Sequence, residues 1–458
     1  MKKQINLISG NILKSLIALS LPILGTSFIQ MAYNMTDMIW IGRVGSAAVA
    51  AVGTAGFFPW LGMALSYISK VGIEVGVSQS IGKGDKNERD KFIVNSILIN
   101  IVLALIFTII ILVFKTPLID FFKLGDSEVI NMSHQYLVIV ILGTIFSFIN
   151  PVFTSIFTAS GNSKTPFIIN TVGLVFNMVF DPLLIFGFGP IPALGVSGAA
   201  IATVLAQLVV TLIFVYAYVK NEYIKGKKAL KFIDKGYIHN IVKLGMPACL
   251  ENGCFTIFSM ILGRIVAQWG PVNIAVQKVG SQIEAISWMT AGGFGTALTT
   301  FIGQNYGAKE PERIKKGFKA TLGVSIFVGI LASILLIGFG RQVFSLFIPE
   351  PEAIYGGIEY LRILGYSQIF ICIEITTAGA FRGLGNTSIP SIVSILLTGS
   401  RIPLAMVLSM PNILGVNGVW WATSSTSIIK GILMISLYYL VYIRNNKIEK
   451  NLEVVTVK

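Results

Sequence analysis

Asp37 and Asp181 are the residues of this sequence best placed to do chemistry, because each sits deep in an apolar run and the same half of the chain offers no matching cation. An ionisable group at the centre of a bilayer costs several kcal/mol on most scales, about 3 at the low end, and faces a cavity or a partner. Their neighbours fall in register with them. Gln30, Tyr33, Asn34 and Asp37 follow i, i+3, i+4, i+7, and Asn170, Asn177 and Asp181 follow i, i+7, i+11, so each set lines one helical face. Ser147, Asn150, Thr154 and Thr158 form a third stripe, and Thr203, Gln207 and Thr211 a fourth. Such oxygens suit the holding of an ion. A hard cation such as Na⁺ would find ligands in Asp37, Asp181, the Asn177 amide oxygen and the Thr203 hydroxyl, and either Asp would hold a proton. The plainer alternative is that these side chains only hydrogen-bond neighbouring helices.

The second half carries Glu251 and Glu374 together with Lys278 and Arg401, so its carboxylates have two candidate cation partners. Structural ion pairs and substrate contact both fit that composition. Lys70, in the first half, stands one turn before Glu74 and reads as a local pair with a snorkelling stem.

The elements that must carry these residues are membrane helices. Of the 458 residues, 54% are hydrophobic and 12% charged, half the charge of an ordinary soluble domain (about 25%). A soluble enzyme and a disordered chain are both excluded on those grounds. Twelve stretches reach the roughly 20 apolar residues that a hydrocarbon core needs, at about 14–40, 47–78, 92–114, 131–159, 164–188, 195–219, 238–268, 272–304, 317–339, 355–380, 387–409 and 415–443. The first of them continues past a signal peptide's length and lacks an A-x-A site, so it is kept as a span.

With both termini inside, 25 Lys and Arg fall in cytoplasmic segments and five outside, the five being Arg43, Lys115, Lys123, Arg264 and Arg341. The net charge of +14 is thus a topology signal under the positive-inside rule, and nucleic acid is not expected as a partner. The lipid bilayer is.

The chain also repeats itself at 220 to 225 residues: Leu21-Pro22 recurs as Met246-Pro247, Gly161-Asn162 as Gly385-Asn386, Pro166 as Pro390, and Gly195-Val196-Ser197-Gly198 as Gly415-Val416-Asn417-Gly418. Six helices separate the copies, so both halves enter from one side, the arrangement of a parallel repeat. The domains expected are a first lobe at 1–219, a basic cytoplasmic linker at 220–237, a second lobe at 238–443 and a cytoplasmic tail at 444–458. Paired lobes of this kind expose a site to each side in turn.

No disulfide framework or zinc spacing exists in Cys249, Cys254 and Cys372, and His134 and His239 sit at segment ends. Neither G-x-x-x-x-G-K-[ST] nor H-E-x-x-H occurs. No enzyme activity and no cofactor are expected, and transport would draw on an ion gradient.

Taken in order, the Leu21-Pro22 opening with Asp37, the run from Gln277 to Glu284, the run from Ile302 to Ala308, and the run from Thr376 to Asn386 resemble the multidrug and toxic compound extrusion (MATE) family over residues 10–445. The resemblance implies an all-α membrane protein of twelve helices in two parallel, V-shaped lobes. It implies a monomeric antiporter of the plasma membrane that exports small organic cations or amphipathic drugs by alternating access, in exchange for Na⁺ or H⁺. The family's cation site matches Asp37, Asn177, Asp181 and Thr203, the set that would hold Na⁺. Gln30, Tyr33, Asn34, Asn150, Thr154, Gln207, Glu251, Lys278, Glu374 and Arg401 are the expected cavity-lining residues. Arg401 departs from the pattern, since it occupies the repeat position of Asn177. The alternative is a flippase or exporter of a lipid-linked or polar metabolite in the same superfamily.

Overall fold

The fold is built from helices because long apolar stretches in lipid must satisfy every backbone polar group within themselves. A computed structural model describes residues 5–122, 124, 126–190, 192–220, 229–347, 350–444 and 448–449, leaving the side chains of Asn34, Ala229 and Leu230 aside. Lys123 and the basic residues at 2, 3, 225, 227, 228, 447, 450 and 458 lie outside the described residues.

In chain order the helices are α1 (Ile12–Val44), α2 (Ser46–Ala55), α3 (Phe57–Lys83), α4 (Lys86–Val113), α5 (Lys115–Asp120), α6 (Ser127–Leu142), α7 (Thr144–Ala159), α8 (Lys164–Phe186) and α9 (Gly195–Lys220). They continue as α10 (Lys235–Ala267), α11 (Pro271–Gly307), α12 (Pro311–Gly338), α13 (Gly340–Ser345), α14 (Pro351–Gly365), α15 (Gln368–Gly383), α16 (Ser388–Gly399), α17 (Arg401–Leu408) and α18 (Asn417–Tyr438).

Nine of the described segments are long and apolar enough to cross a membrane, and two bent pairs raise the number to eleven. The twelfth expected stretch is α11, whose 37 residues are ample in length. It falls short in apolarity because it carries Gln277, Lys278, Gln282, Glu284, Gln304 and Asn305. The bent pairs are α6 with α7, at 46°, and α14 with α15, at 49°. Neither bend lies at a proline inside a helix. Pro22, Pro151, Pro182 and Pro247 are all carried within continuous helices, while the breaks fall at Gly143 and at Tyr366–Ser367.

By their contacts the residues divide into two compact units. Unit 1 holds the described parts of Met1–Ile5, Gly25–Val77 and Asp85–Cys249, and unit 2 holds Asn6–Leu24, Ser78–Gly84 and the described parts of Leu250–Lys458. In unit 1 an apolar core joins Phe58, Phe107, Leu137, Phe148 and Ile185. In unit 2 Val276, Phe344, Tyr360, Leu361 and Trp420 play that part. Within unit 1, α8 and α9 approach closely because Gly173 has no side chain, and a Cβ there would collide with Val210. That contact sets the polar stripe of α8 beside that of α9.

The segment that leads into α10 is fixed to α4. Asn95, fully buried, donates to the Phe232 carbonyl at 2.8 Å and accepts from the Asp234 backbone N–H at 3.0 Å. Lys91 Nζ stands 3.2 Å from Asp234 Oδ2. The hydrogen bond from Lys91 holds the Asp234 carboxyl below the usual carboxylate range.

Candidate functional site

Four helices of unit 1 supply the first-half polar residues. Tyr33 on α1 meets Thr203 on α9, with 3.3 Å between their hydroxyls. Asn177 on α8 donates from Nδ2 to Asp181 Oδ1 at 3.1 Å, the i, i+4 contact that the spacing leads one to expect. Asn150 on α7 donates to the Gln207 side chain at 2.8 Å and to its carbonyl at 3.0 Å, and accepts from Thr211 at 2.8 Å. Asp37 and Asp181 are electrostatic neighbours of each other and of Tyr33. Gln30, Tyr33, Asn170, Asn177 and Gln207 line a small recess of about 40 Å³.

Satisfaction of hydrogen bonds separates this cluster from ordinary packing. Asp181 is 0% exposed. Even so, its Oδ2, the Oδ1 of Asn177 and the Oδ1 of Asp37 are buried and have no hydrogen-bond partner. Most buried polar side-chain atoms in folded proteins are paired, and those that are not call for an explanation. No ion pair reaches either Asp among the described residues. Two carboxylates with neutral oxygens around them suit a hard monovalent cation, or a proton on one acid, and nothing in the set is soft enough to favour a transition metal. No group of three or more His, Cys, Asp or Glu side chains occurs among the described residues.

Asp37, Asn177, Asp181 and Thr203 are thus brought together in unit 1, with Gln30, Tyr33, Asn150 and Gln207 near them. Thr154 is half-buried on α7, and the Asn34 side chain lies outside the described residues.

The second half requires a correction. Glu374 on α15 pairs with Lys430 on α18 at 2.9 Å, not with Lys278 or Arg401. Glu251 pairs with Arg382 at 3.3 Å and accepts from Ser391 at 2.8 Å. Lys278 is exposed. Arg401 donates to Thr426 and Ser427, at 2.9 and 2.8 Å. Partners on other helices cannot be assigned by spacing along one of them, but the presence of Lys430 could have been registered: it is a lone cation in the apolar run Ser427-Ile428-Ile429-Lys430-Gly431-Ile432. Glu284, which the sequence marks only as the end of the run from Gln277, accepts from the Tyr360 hydroxyl at 3.2 Å. The Lys70–Glu74 pair is present at 3.9 Å.

Fold and site together define a multi-span helical membrane protein that repeats its architecture and holds buried, incompletely satisfied acids in its first unit. The MatE family model matches residues 22–183 and again 247–407. The chain belongs to the MatE family. A probable multidrug resistance protein NorM of Thermotoga maritima is 28% identical over 95% of this chain and 93% of its own length. A probable multidrug resistance protein YoeA of Bacillus subtilis is 29% identical over 92% of each, and an FAD transporter of Shewanella oneidensis is 26% identical over 96% of each. Among solved structures, an outward-facing multidrug resistance MATE transporter matches with a TM-score of 0.87 at 24% identity, over 96% of this chain and 98% of that one. At that identity the match speaks for the fold.

Proposed function

We propose that this protein exports small cationic or amphipathic organic compounds across the plasma membrane as a monomeric antiporter, taking up Na⁺ or H⁺ in exchange by alternating access. Both termini lie in the cytoplasm on this reading, which the distribution of Lys and Arg supports. The observation that carries the reading is the set of three buried, unpartnered oxygens on Asp37, Asn177 and Asp181. Like names support it, since the Thermotoga maritima and Bacillus subtilis relatives are described as multidrug resistance proteins. Asp37, Asn177, Asp181 and Thr203 hold the ion. Gln30, Tyr33 and Gln207 line the recess that the organic cation enters.

Coupling follows from charge. With the acids unoccupied, the recess is anionic and attracts an organic cation; once Na⁺ or a proton is bound, that attraction is lost. The two ligands therefore compete, and each weakens the other by the same factor. Raising Na⁺, or lowering the pH for proton coupling, is expected to weaken equilibrium binding of rhodamine 6G to the detergent-solubilised protein by about tenfold, within the range typical of coupled sites. Asp181→Asn should remove most of the effect. Affinity that stays constant in both titrations places the organic cation away from the acids and overturns the coupling scheme.

A further inference from the structure

The two halves of the chain place different charges at equivalent positions. The shift of 224 residues that carries Gly161 onto Gly385 also carries Asn150 onto Glu374 and Asn177 onto Arg401. The shift of 220 that carries Gly195 onto Gly415 carries Gln207 onto Ser427 and Val210 onto Lys430. Backbone geometry supports both registers, because Gly161 and Gly385 have φ of 78° and 80°, and Gly195 and Gly415 have φ of 54° and 57°. Asn177, Gln207 and Val210 line the recess of unit 1. Their images in unit 2 include two cations.

Those cations are deeply buried, Arg401 at 8% exposure and Lys430 at 7%. Lys430 has Glu374 as its counter-ion at 2.9 Å. Arg401 has none: its Nε and Nη2 donate to the neutral hydroxyls of Thr426 and Ser427, and no carboxylate lies within ion-pair distance among the described residues. Its Nη1 makes no hydrogen bond to the described protein. The two acids whose fields reach Arg401 are both engaged elsewhere, Glu374 by Lys430 at 2.9 Å and Glu284 by Tyr360 at 3.2 Å. A guanidinium held in a low-dielectric interior without a counter-ion is expensive, and its planar fork matches a carboxylate or phosphate. Thr426, Ser427 and Lys430, at i, i+1 and i+4 of α18, put the guanidinium's anchors and the ammonium on one side of that helix.

We propose that Arg401, Ser427 and Lys430 form an oxyanion site within unit 2 that takes the carboxylate or phosphate of an amphipathic solute. The site stands apart from the organic-cation reading and does not rest on it. Such a site would let the chain accept zwitterions and organic anions as well as cations.

The test uses the purified full chain in a neutral maltoside detergent, with dansylglycine as the probe and its uncharged amide as control, read by dansyl fluorescence. Wild-type protein is expected to bind dansylglycine at least about tenfold more tightly than the amide, and Arg401→Gln to erase that preference. Glu374→Gln frees the Lys430 ammonium and should tighten dansylglycine binding several-fold, a change that loss of fold cannot mimic. Equal affinity of the wild type for dansylglycine and the amide overturns the proposal. So does a preference that survives Arg401→Gln.

Discussion

Asp37→Asn is expected to abolish gradient-driven efflux while the protein still inserts in the membrane and unfolds at a temperature near that of the wild type. The amide keeps the size and shape of the carboxylate but cannot be protonated or carry a charge for Na⁺. Since Asp37 has no ion-pair partner among the described residues, the substitution strands no cation. One of its buried oxygens already lacks a hydrogen-bond partner, and the new NH₂ group can be directed toward the acceptor oxygens nearby. Stability should therefore change by no more than about 1 kcal/mol, the size of a typical net hydrogen bond. Uphill transport would fall to background, measured as rhodamine 6G efflux from proteoliposomes under an imposed Na⁺ or pH gradient. Wild-type efflux by this variant removes Asp37 from the coupling site.

The second large effect is on stability. Lys430→Met leaves Glu374 buried without its counter-ion, and breaking a buried pair in this way costs about 3–5 kcal/mol. Removing both charges, as Lys430→Met with Glu374→Gln, should recover most of the loss, because the stranded charge and not the missing attraction dominates the cost. The interaction energy, read from thermal unfolding of the two single variants and the double, is expected to exceed about 1 kcal/mol, as for residues in direct contact. Strict additivity means that the pair is solvated. Glu251 should couple in the same manner to Arg382 and not to Lys278, since the structure pairs it with the former at 3.3 Å.

What could be read from the sequence was whatever depends on one helix at a time. Span positions followed from apolar length, and the α8 stripe gave the Asn177–Asp181 contact because i and i+4 meet on any helix. Tyr33–Thr203 and Asn150–Gln207 join separate helices. The stripes showed that these residues face inward but not which would touch. Charge pairing in the second half is not legible for this reason, and Lys430 is inconspicuous because a single Lys hardly alters the hydropathy of a 22-residue helix. The bends at Gly143 and Tyr366–Ser367 are also not legible, since neither break holds a proline and Pro22, Pro151, Pro182 and Pro247 all sit inside unbroken helices.

Those two bends belong to the repeat. They lie at matching places in the repeat, since 224 residues separate Gly143 from Ser367 just as they separate Gly161 from Gly385, and their angles of 46° and 49° nearly agree. The residues at the break do not agree: one copy has a glycine and the other a tyrosine and a serine. A bend made by different residues in the two copies does not depend on one residue type at the break. The charge at equivalent positions does differ, neutral at Asn177 and cationic at Arg401, so the two halves share a bent backbone and not its polarity.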